Sequence, residues 1–210
     1  MLEIVYEDKY LIVVNKPSKL LTISNIKEKE KTLYHLISIY LKKKNKNNKV
    51  FIVHRLDYDT SGLIIFAKSE LIKDKLQFDW SNVKRKYMAV LGGKLIKREG
   101  VIQTYLKETK TLMTYSSKDK KGKLAITEYK VIKYQDNFTL VEINIRTGRK
   151  NQIRVHMKDL GHPIIGDTKY GNVKNKYMLL HAYYLEFSHP ITNEKICLET
   201  KLPKYFKIID

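Results

Sequence analysis

The alternation of apolar and polar residues predicts β-strands along most of the second half of the chain. In the segment LVEINI, which begins at Leu140, a β-branched residue stands at every second position, as expected for a strand with one buried face. Strands are predicted in this half at 86–91, 101–106, 112–116, 125–134, 138–145, 178–187 and 194–198. In the first half, shorter strands are predicted at 3–6, 10–15, 51–53 and 62–68.

Three helices are predicted from their apolar spacing and from the residues at their ends. Thr32 and Ser69 are suited to be N-caps of the first two, and Gly161 ends the third. The predicted helices are 32–43, carrying Leu33, Leu36, Ile37 and Tyr40; 69–78, carrying Leu71, Ile72, Leu76 and Gln77; and 151–160.

The order of these elements indicates an α+β fold. We expect a large mixed, mainly antiparallel sheet with a few flanking helices. The sequence shows no internal repeat and no Pro- or Gly-rich linker that would separate independent domains. Residues 1–210 are therefore predicted to form a single domain.

An ionic and hydroxyl-rich segment, His54 to Ser61, lies between the strands predicted at 51–53 and 62–68. A loop that only connects two strands does not need an Arg, two Asp and two hydroxyls, so a functional role is the better explanation. Asp57 is the candidate for the reacting group. The alternative is an Asx-type turn, in which an Asp of this segment bonds its own backbone and Gly62 supplies an unusual dihedral angle.

The charge of the chain points to a polyanionic partner. With 41 Lys+Arg against 22 Asp+Glu, the net charge is +19, and RNA, DNA or an anionic membrane would each fit. Only six of the basic residues are Arg, and five of them fall in three short segments, which suggests sites that need the planar guanidinium. The six are Arg55, Arg85, Arg98, Arg146, Arg149 and Arg154. We expect the three segments to converge on one cleft that binds phosphate or carboxylate.

Several other classes of protein do not fit this sequence. Cys197 is the only cysteine, which precludes an intrachain disulfide framework and suits a reducing cytosol. The acidic start and the lack of an apolar run of about 18 residues argue against a signal peptide and a membrane span. The histidines have no metal-ligand spacing, so no metal site is predicted. A soluble, cytoplasmic protein is expected.

The run His54-Arg55-Leu56-Asp57-x-x-Thr60-Ser61-Gly62 resembles the signature of the RluA-type pseudouridine synthases. The resemblance continues in the segments 7–17, 85–90, 147–156, 161–170 and 180–190. Asn151 stands where the family usually has a His. We expect no separate N-terminal RNA-binding module of the kind that many relatives carry, so the catalytic domain itself is expected to recognise the target.

The resemblance implies a pseudouridine synthase fold with a central active-site cleft, and isomerisation of uridine to pseudouridine in ribosomal or transfer RNA by a monomer without a cofactor. The implied catalytic residues are Asp57 as nucleophile, Arg154 as its ionic partner, and Tyr87, which would pack on the uracil ring and help to remove the proton from carbon 5. The implied substrate-binding residues are Arg55, Arg149, Ile153 and Thr60.

Less specific interpretations remain beside this one. Arg154 would otherwise be a helix-surface arginine in water, and Tyr87 a strand core residue with a bonded hydroxyl. The chain as a whole could be a non-catalytic RNA-binding relative or a basic protein that binds nucleic acid or anionic membrane generally. The intact set of Asp57, Tyr87 and Arg154 argues against the former, and the lack of a strongly amphipathic basic helix against a membrane role.

Overall fold

The computed structural model describes residues 2–24, 28 and 30–209 of the chain. In these residues the helices are α1 (Leu33–Lys44), α2 (Glu70–Phe78), α3 (Gln152–Asp159) and a 3₁₀-helix (Lys204–Ile209). The strands are β1 (Glu3–Glu7), β2 (Leu11–Lys16), β3 (Phe51–Ile52), β4 (Ser61–Ala67), β5 (Lys84–Gly92), β6 (Glu99–Glu108), β7 (Thr114–Ser117), β8 (Lys123–Gln135), β9 (Phe138–Ile145), β10 (Leu180–Ser188) and β11 (Lys195–Glu199).

The chain divides into two compact units. The first unit contains residues 1–83 and 182–201, and the second contains residues 84–181 and 202–210. The strand pairs within each unit are antiparallel, which confirms the α+β, mainly antiparallel fold. None of the helices in the described ranges has the length and apolar character that a membrane crossing requires.

In the first unit, β4 lies at the centre and is buried along its whole length. It pairs with β2 and with the short β3. Strand β1 pairs with the other edge of β2, and β11 pairs with β10. At the start of β4, Gly62 has φ +116, and a Cβ there would lie 2.2 Å from the main-chain oxygen of Ala182. Only glycine fits so close to another backbone, so Gly62 fixes the end of the Asp57 loop.

The predicted caps of the first two helices are confirmed. Thr32 Oγ1 accepts a hydrogen bond from His35 N at 3.1 Å, and Ser69 Oγ accepts one from Ile72 N at 3.3 Å. Two apolar residues of the predicted helical stripes, Leu36 and Leu71, are instead 43% and 62% exposed. The buried stripes are narrower, because only residues near i, i+4 and i+8 face the core: Leu33, Ile37 and Leu41 in α1, and Ile72 and Leu76 in α2.

The second unit is built on the antiparallel order β5-β9-β8-β6-β7. The predicted alternation in β9 is confirmed, since Thr139, Val141, Ile143 and Ile145 are buried while their neighbours are half-buried. Helix α3 packs over β7 and β8, and its Val155 contacts the hydrophobic cluster of Leu106 and Ala125. The 3₁₀-helix was not predicted from the sequence; its Phe206 packs in a separate buried cluster with Val90, Ile165 and Leu179.

Candidate active site

The loop from Val53 to Thr60 carries Asp57 and is held through its main chain. Three of its carbonyl oxygens accept hydrogen bonds from side chains at the end of β2 and after it: Leu56 O from Thr22 Oγ1 (2.8 Å), Tyr58 O from Lys16 Nζ (3.2 Å) and Asp59 O from Ser18 Oγ (2.7 Å). Thr60 N also donates to Asp57 O at 3.2 Å, so main-chain atoms close a turn. Asp57 is thus a half-buried carboxylate on a loop whose backbone has several anchors.

Lys16 is the buried cation behind this loop, with no exposed surface. Its Nζ donates to three main-chain carbonyl oxygens, those of Pro17 (3.0 Å), Leu20 (2.8 Å) and Tyr58 (3.2 Å). Burial lowers the pKa of Lys16 to about 7, while the nearby charges of Asp57 and Asp59 act to raise it. In the sequence, Lys16 directly follows the strand predicted at 10–15 and lies in the segment 7–17 that resembles the family, but no role was predicted for it. The usable signal was its position two residues after Val14, because alternate residues of a strand share one face and the run from Leu11 to Val14 is entirely apolar.

His54 and Trp80 support the same loop from the other side of the motif. His54 Nε2 accepts a hydrogen bond from Ile65 N at 3.1 Å, and the two rings lie 4.6 Å apart between centroids. Arg55 is exposed, and Thr60 is buried. The first unit thus brings Arg55, Asp57 and Thr60 together on one short loop.

In the second unit, β5 carries Arg85 and Tyr87 on its buried side. Their residues are 6% and 7% exposed, and Tyr87 is paired in register with Ile143. A Cβ at Gly148 would lie 2.9 Å from Arg85 Nη1, so the glycine leaves room for the guanidinium. Burial of Tyr87 agrees with both the catalytic and the core interpretation.

Arg154 lies near the start of α3 and is only 7% exposed, so the interpretation as a helix-surface arginine in water is wrong. Its guanidinium makes a two-pronged contact with Asp167: Nε to Oδ2 and Nη2 to Oδ1, each 2.8 Å. Nη1 donates to Asn151 Oδ1 at 3.1 Å, and the Tyr170 ring centroid lies 5.1 Å from Cζ. The predicted pairing of Arg154 with Asp57 stays a prediction.

Asp167 is a site residue that the sequence analysis did not identify. Burial acts to raise the pKa of its carboxyl, but the hydrogen bonds and charge of Arg154, with two backbone N–H groups, outweigh burial and lower that pKa. Those N–H groups, of Lys169 and Tyr170, donate to Oδ1 at 2.9 and 3.0 Å. An Asp can form such a turn with the N–H groups two and three residues after it, but nothing in the local sequence indicates the contact with Arg154.

The turn before α3 is organised by Gln152, another buried residue that the sequence analysis passed over. Its Oε1 accepts from Thr147 Oγ1 (2.7 Å) and Arg149 N (3.0 Å), and its Nε2 donates to Ile126 O (3.0 Å) and Thr127 Oγ1 (2.9 Å). Arg149 itself is exposed, with Nε donating to Leu124 O at 2.9 Å, whereas Ile153 is buried. The second unit thus holds Arg149, Ile153 and Arg154 on one segment.

His156, on the same helix, is fully buried between two hydroxyls. Its Nδ1 lies 2.8 Å from Thr127 Oγ1, and its Nε2 lies 2.9 Å from Thr104 Oγ1. Burial lowers the pKa of His156 to about 4, so the ring is neutral near pH 7. His156 therefore acts here as a structural hydrogen-bonding residue, as expected for the scattered histidines.

Comparison with known proteins identifies the family to which this chain belongs. A model described as RNA pseudouridylate synthase matches residues 10–159, which include Asp57, Tyr87 and Arg154. An uncharacterized RNA pseudouridine synthase of Bacillus subtilis, YhcT, is 36% identical over 212 residues, covering 98% of this chain and 70% of the relative. Ribosomal large subunit pseudouridine synthase C of Rickettsia bellii is 40% identical over 213 residues, covering 97% of this chain and 69% of the relative.

A solved structure agrees with the sequence relatives. Human RNA Pseudouridylate Synthase Domain Containing 4 superposes with a TM-score of 0.81 at 25% identity, covering 98% of this chain and 90% of the human chain. The family model spans most of the chain, and the relatives match nearly all of it. The chain therefore belongs to the RluA-type family of RNA pseudouridine synthases, the isomerases that convert uridine in RNA to pseudouridine.

Proposed function

We propose that this enzyme modifies a uridine in ribosomal or transfer RNA, with the Asp57 carboxylate as the nucleophile. The observation that carries the proposal is the construction of the Asp57 loop, whose carbonyl oxygens at 56, 58 and 59 are each held by a side chain. Such anchoring fixes the chain that presents the carboxylate before any substrate is bound. Among the two RNA classes, ribosomal RNA is favoured by the names of the Rickettsia relatives.

The chemistry needs no external reagent, because the reaction is an isomerisation. In the route through the sugar, an Asp57 oxygen bonds to carbon 1′ while the electron pair of the C1′–N1 bond moves onto the uracil. The uracil turns, carbon 5 bonds to carbon 1′, and the carboxylate leaves with its electron pair. Loss of the proton from carbon 5 and gain of one at nitrogen 1 complete the product. In the alternative route, the carboxylate adds first to the uracil ring.

The remaining site residues receive roles that fit their positions. We assign Arg154 to orient Asp57 and keep it ionised, Tyr87 to pack on the uracil and assist proton loss from carbon 5, and buried Ile153 and Thr60 to line the base pocket. Exposed Arg55 and Arg149 would contact phosphates around the extruded nucleotide, whose unstacking costs roughly a few kcal/mol. These roles require the two units to act as one catalytic domain over residues 1–210, and we include that in the proposal.

The +19 charge supports RNA as the partner, because each neutralised phosphate releases counterions. We further propose that the enzyme works as a monomer in the cytoplasm. The exposed, unbridged Cys197 is compatible with a reducing compartment.

The decisive experiment compares Asp57→Asn with Asp59→Asn in the same loop. Both changes remove one negative charge near Lys16 and keep the side-chain shape, but only the first removes the proposed nucleophile. Release of tritium from carbon 5 of labelled uridine in RNA is measured beside RNA binding and thermal unfolding. We expect no turnover from Asp57→Asn and near-parent turnover from Asp59→Asn, with folding and binding retained in both. An Asp57→Asn variant that folds, binds and releases tritium near the parent rate would show that the motif is only a turn.

The RNA substrate is identified in cells. Pseudouridines are mapped across all RNAs with the gene deleted, and again after complementation with the parent or with Asp57→Asn. A ribosomal or transfer RNA position that is restored only by the parent supports the proposal. If every pseudouridine remains after the gene is deleted, and the protein still binds RNA, the non-catalytic RNA-binding alternative would be favoured.

A further inference from the structure

The contacts around Arg154 form a closed ring of four residues within the second unit, linked by side chains and by one backbone N–H group. Arg154 contacts Asp167 and Asn151, Asn151 Nδ2 donates to Tyr170 Oη at 3.1 Å, and Tyr170 N donates to Asp167 Oδ1 at 3.0 Å. We infer that Asp167 and Asn151 are positioning residues that fix the plane and direction of the Arg154 guanidinium. Asp167, Asn151 and Tyr170 are called the Arg154 cage below. The inference rests on the proposed role of Arg154 in the reaction.

The contact with Asp167 fixes the plane of the guanidinium. Two parallel N–H···O bonds between planar groups permit one relative orientation, whereas a single bond would allow the fork to swing. The pair is dry, with side-chain exposures of 8% for Arg154 and 1% for Asp167, so water does not compete for these bonds. The orientation of the Arg154 guanidinium is thus fixed by the geometry of two hydrogen bonds as well as by the attraction of opposite charges.

The carboxylate of Asp167 is itself fixed, so it can serve as a reference for the arginine. Its Oδ1 accepts from the backbone N–H of Lys169 and Tyr170 as well as from Arg154 Nη2. The preceding Gly166 has φ +78, and a Cβ there would lie 2.1 Å from Tyr177 O. The backbone that leads into Asp167 therefore has one close-packed path that only glycine permits.

Asn151 closes the ring from the other side. It has φ 53 and ψ 19, the left-handed conformation that Asn tolerates better than most residues, and it directly precedes α3. Its amide supplies an acceptor for Arg154 Nη1 and a donor for Tyr170 Oη, and the same Tyr170 oxygen accepts from Thr114 N at 3.0 Å. The departure from the family pattern at 151 is thus a contact to the catalytic arginine.

Asp167→Asn tests the cage with little change in shape. The Asn oxygen can keep the three bonds made at Oδ1, while the amide nitrogen replaces Oδ2 and faces the Nε donor of Arg154. We expect kcat to fall about 100-fold and KM for RNA to change less than about threefold, because the loss is one of orientation at the reacting group. Asp159→Asn, an exposed change at the end of α3, is the matched control and should leave both constants unchanged.

Two further measurements separate positioning from general damage. If Asp167 acts through Arg154, adding Asp167→Asn to Arg154→Lys should reduce kcat by less than about threefold beyond Arg154→Lys alone. Asn151→Gly keeps the left-handed backbone accessible and removes only the amide, so kcat should fall about 10-fold with KM unchanged. The Arg154 Nε–Hε resonance, assigned by its loss in Arg154→Lys, should shift in Asp167→Asn.

Several results would overturn the inference. These are a parent-like kcat in Asp167→Asn, fully multiplicative losses in the double variant, or an Nε–Hε resonance that does not move. The resonance does not depend on turnover. A parent protein that releases no tritium from RNA would therefore contradict the proposed function, while a shifted resonance would still support the cage.

Discussion

The Asp57 loop and the start of α3 are both anchored around a buried cation, but by opposite means. In the loop, side chains of Lys16, Ser18 and Thr22 hold main-chain carbonyl oxygens. At the start of α3, side chains hold another side chain, through the two-pronged contact of Asp167 with Arg154. The first arrangement sets where the backbone runs, and the second sets where a functional group points.

The two buried cations also differ in how readily each loses a proton, because their partners and their chemical groups differ. Lys16 faces neutral carbonyl oxygens, and its burial lowers its pKa to about 7. Arg154 faces a carboxylate and is a guanidinium, which stays charged in proteins. Loss of a proton from Lys16 would leave two N–H donors for the three carbonyl oxygens that Nζ contacts, whereas the Arg154 guanidinium keeps all of its donors near neutral pH.

The largest expected effect on turnover comes from replacing Arg154 at the start of α3. Arg154→Lys keeps the positive charge but loses the fork, so it cannot satisfy both oxygens of Asp167 and the oxygen of Asn151 together. We expect kcat to fall about 10³-fold, which corresponds to about 4 kcal/mol of transition-state stabilisation. Single-turnover tritium release at saturating RNA measures the effect.

Arg98→Lys is the matched control for that change. Arg98 is exposed and lies outside the three arginine-bearing segments, and its Cζ is 5.7 Å from the Tyr134 ring centroid. An exposed cation–π contact contributes about 0.5–1 kcal/mol and a lysine can retain part of it, so turnover should stay within about twofold of the parent. An Arg154→Lys variant that is no slower than Arg98→Lys would show that the fork geometry is not needed.

The features that could be predicted from the sequence are those that depend on residues close together in the chain. The placement of Asp57 between two strands, the caps at Thr32 and Ser69, and the end of α3 before Gly161 all follow from local rules that act within a few residues. The Asp57 loop was recognisable because its polar residues are adjacent in the sequence.

The partners of the buried cations were not predictable in this way. Arg154 meets Asp167 after 13 residues, and Lys16 meets Tyr58 O after 42, so both contacts depend on tertiary packing. Leu36 and Leu71 show the same limit, because an apolar residue on a helix is buried only if its face meets the core.

A second prediction uses pH to separate the two cations. The folded pKa of Lys16, about 7, lies below its ordinary 10.5, so the unfolded chain binds more protons between these values. The free energy of unfolding should therefore rise with pH across this interval, by on the order of 3 kcal/mol from Lys16 alone, and the full penalty should be present below pH 7. Urea unfolding from pH 6.5 to 10 measures it, with Lys16→Met expected to lack this component.

Titration of the Lys16 side chain by NMR tests the same point without unfolding. The midpoint should lie near 7 in the parent and lower in Asp57→Asn and in Asp59→Asn, because both carboxylates act to raise this pKa. Lys118→Met, an exposed change, is the control for the unfolding series. A Lys16 midpoint near its ordinary value would contradict the burial that distinguishes the two cations.

The smallest effect is expected from Ser18→Ala, which tests whether the loop is held by shared anchors. The change removes one hydrogen bond, from Ser18 Oγ to Asp59 O at 2.7 Å, and leaves the Lys16 and Thr22 anchors in place. A single half-buried hydrogen bond contributes about 1 kcal/mol or less, so the free energy of unfolding should fall by no more than that. Turnover should stay within about threefold of the parent, because the remaining anchors keep the backbone path.

Urea unfolding and tritium release at saturating RNA are measured on the same preparation. A rate loss as large as that of Arg154→Lys would show that each backbone anchor is indispensable, and the distinction between a loop held at many points and a guanidinium held by one carboxylate would fail.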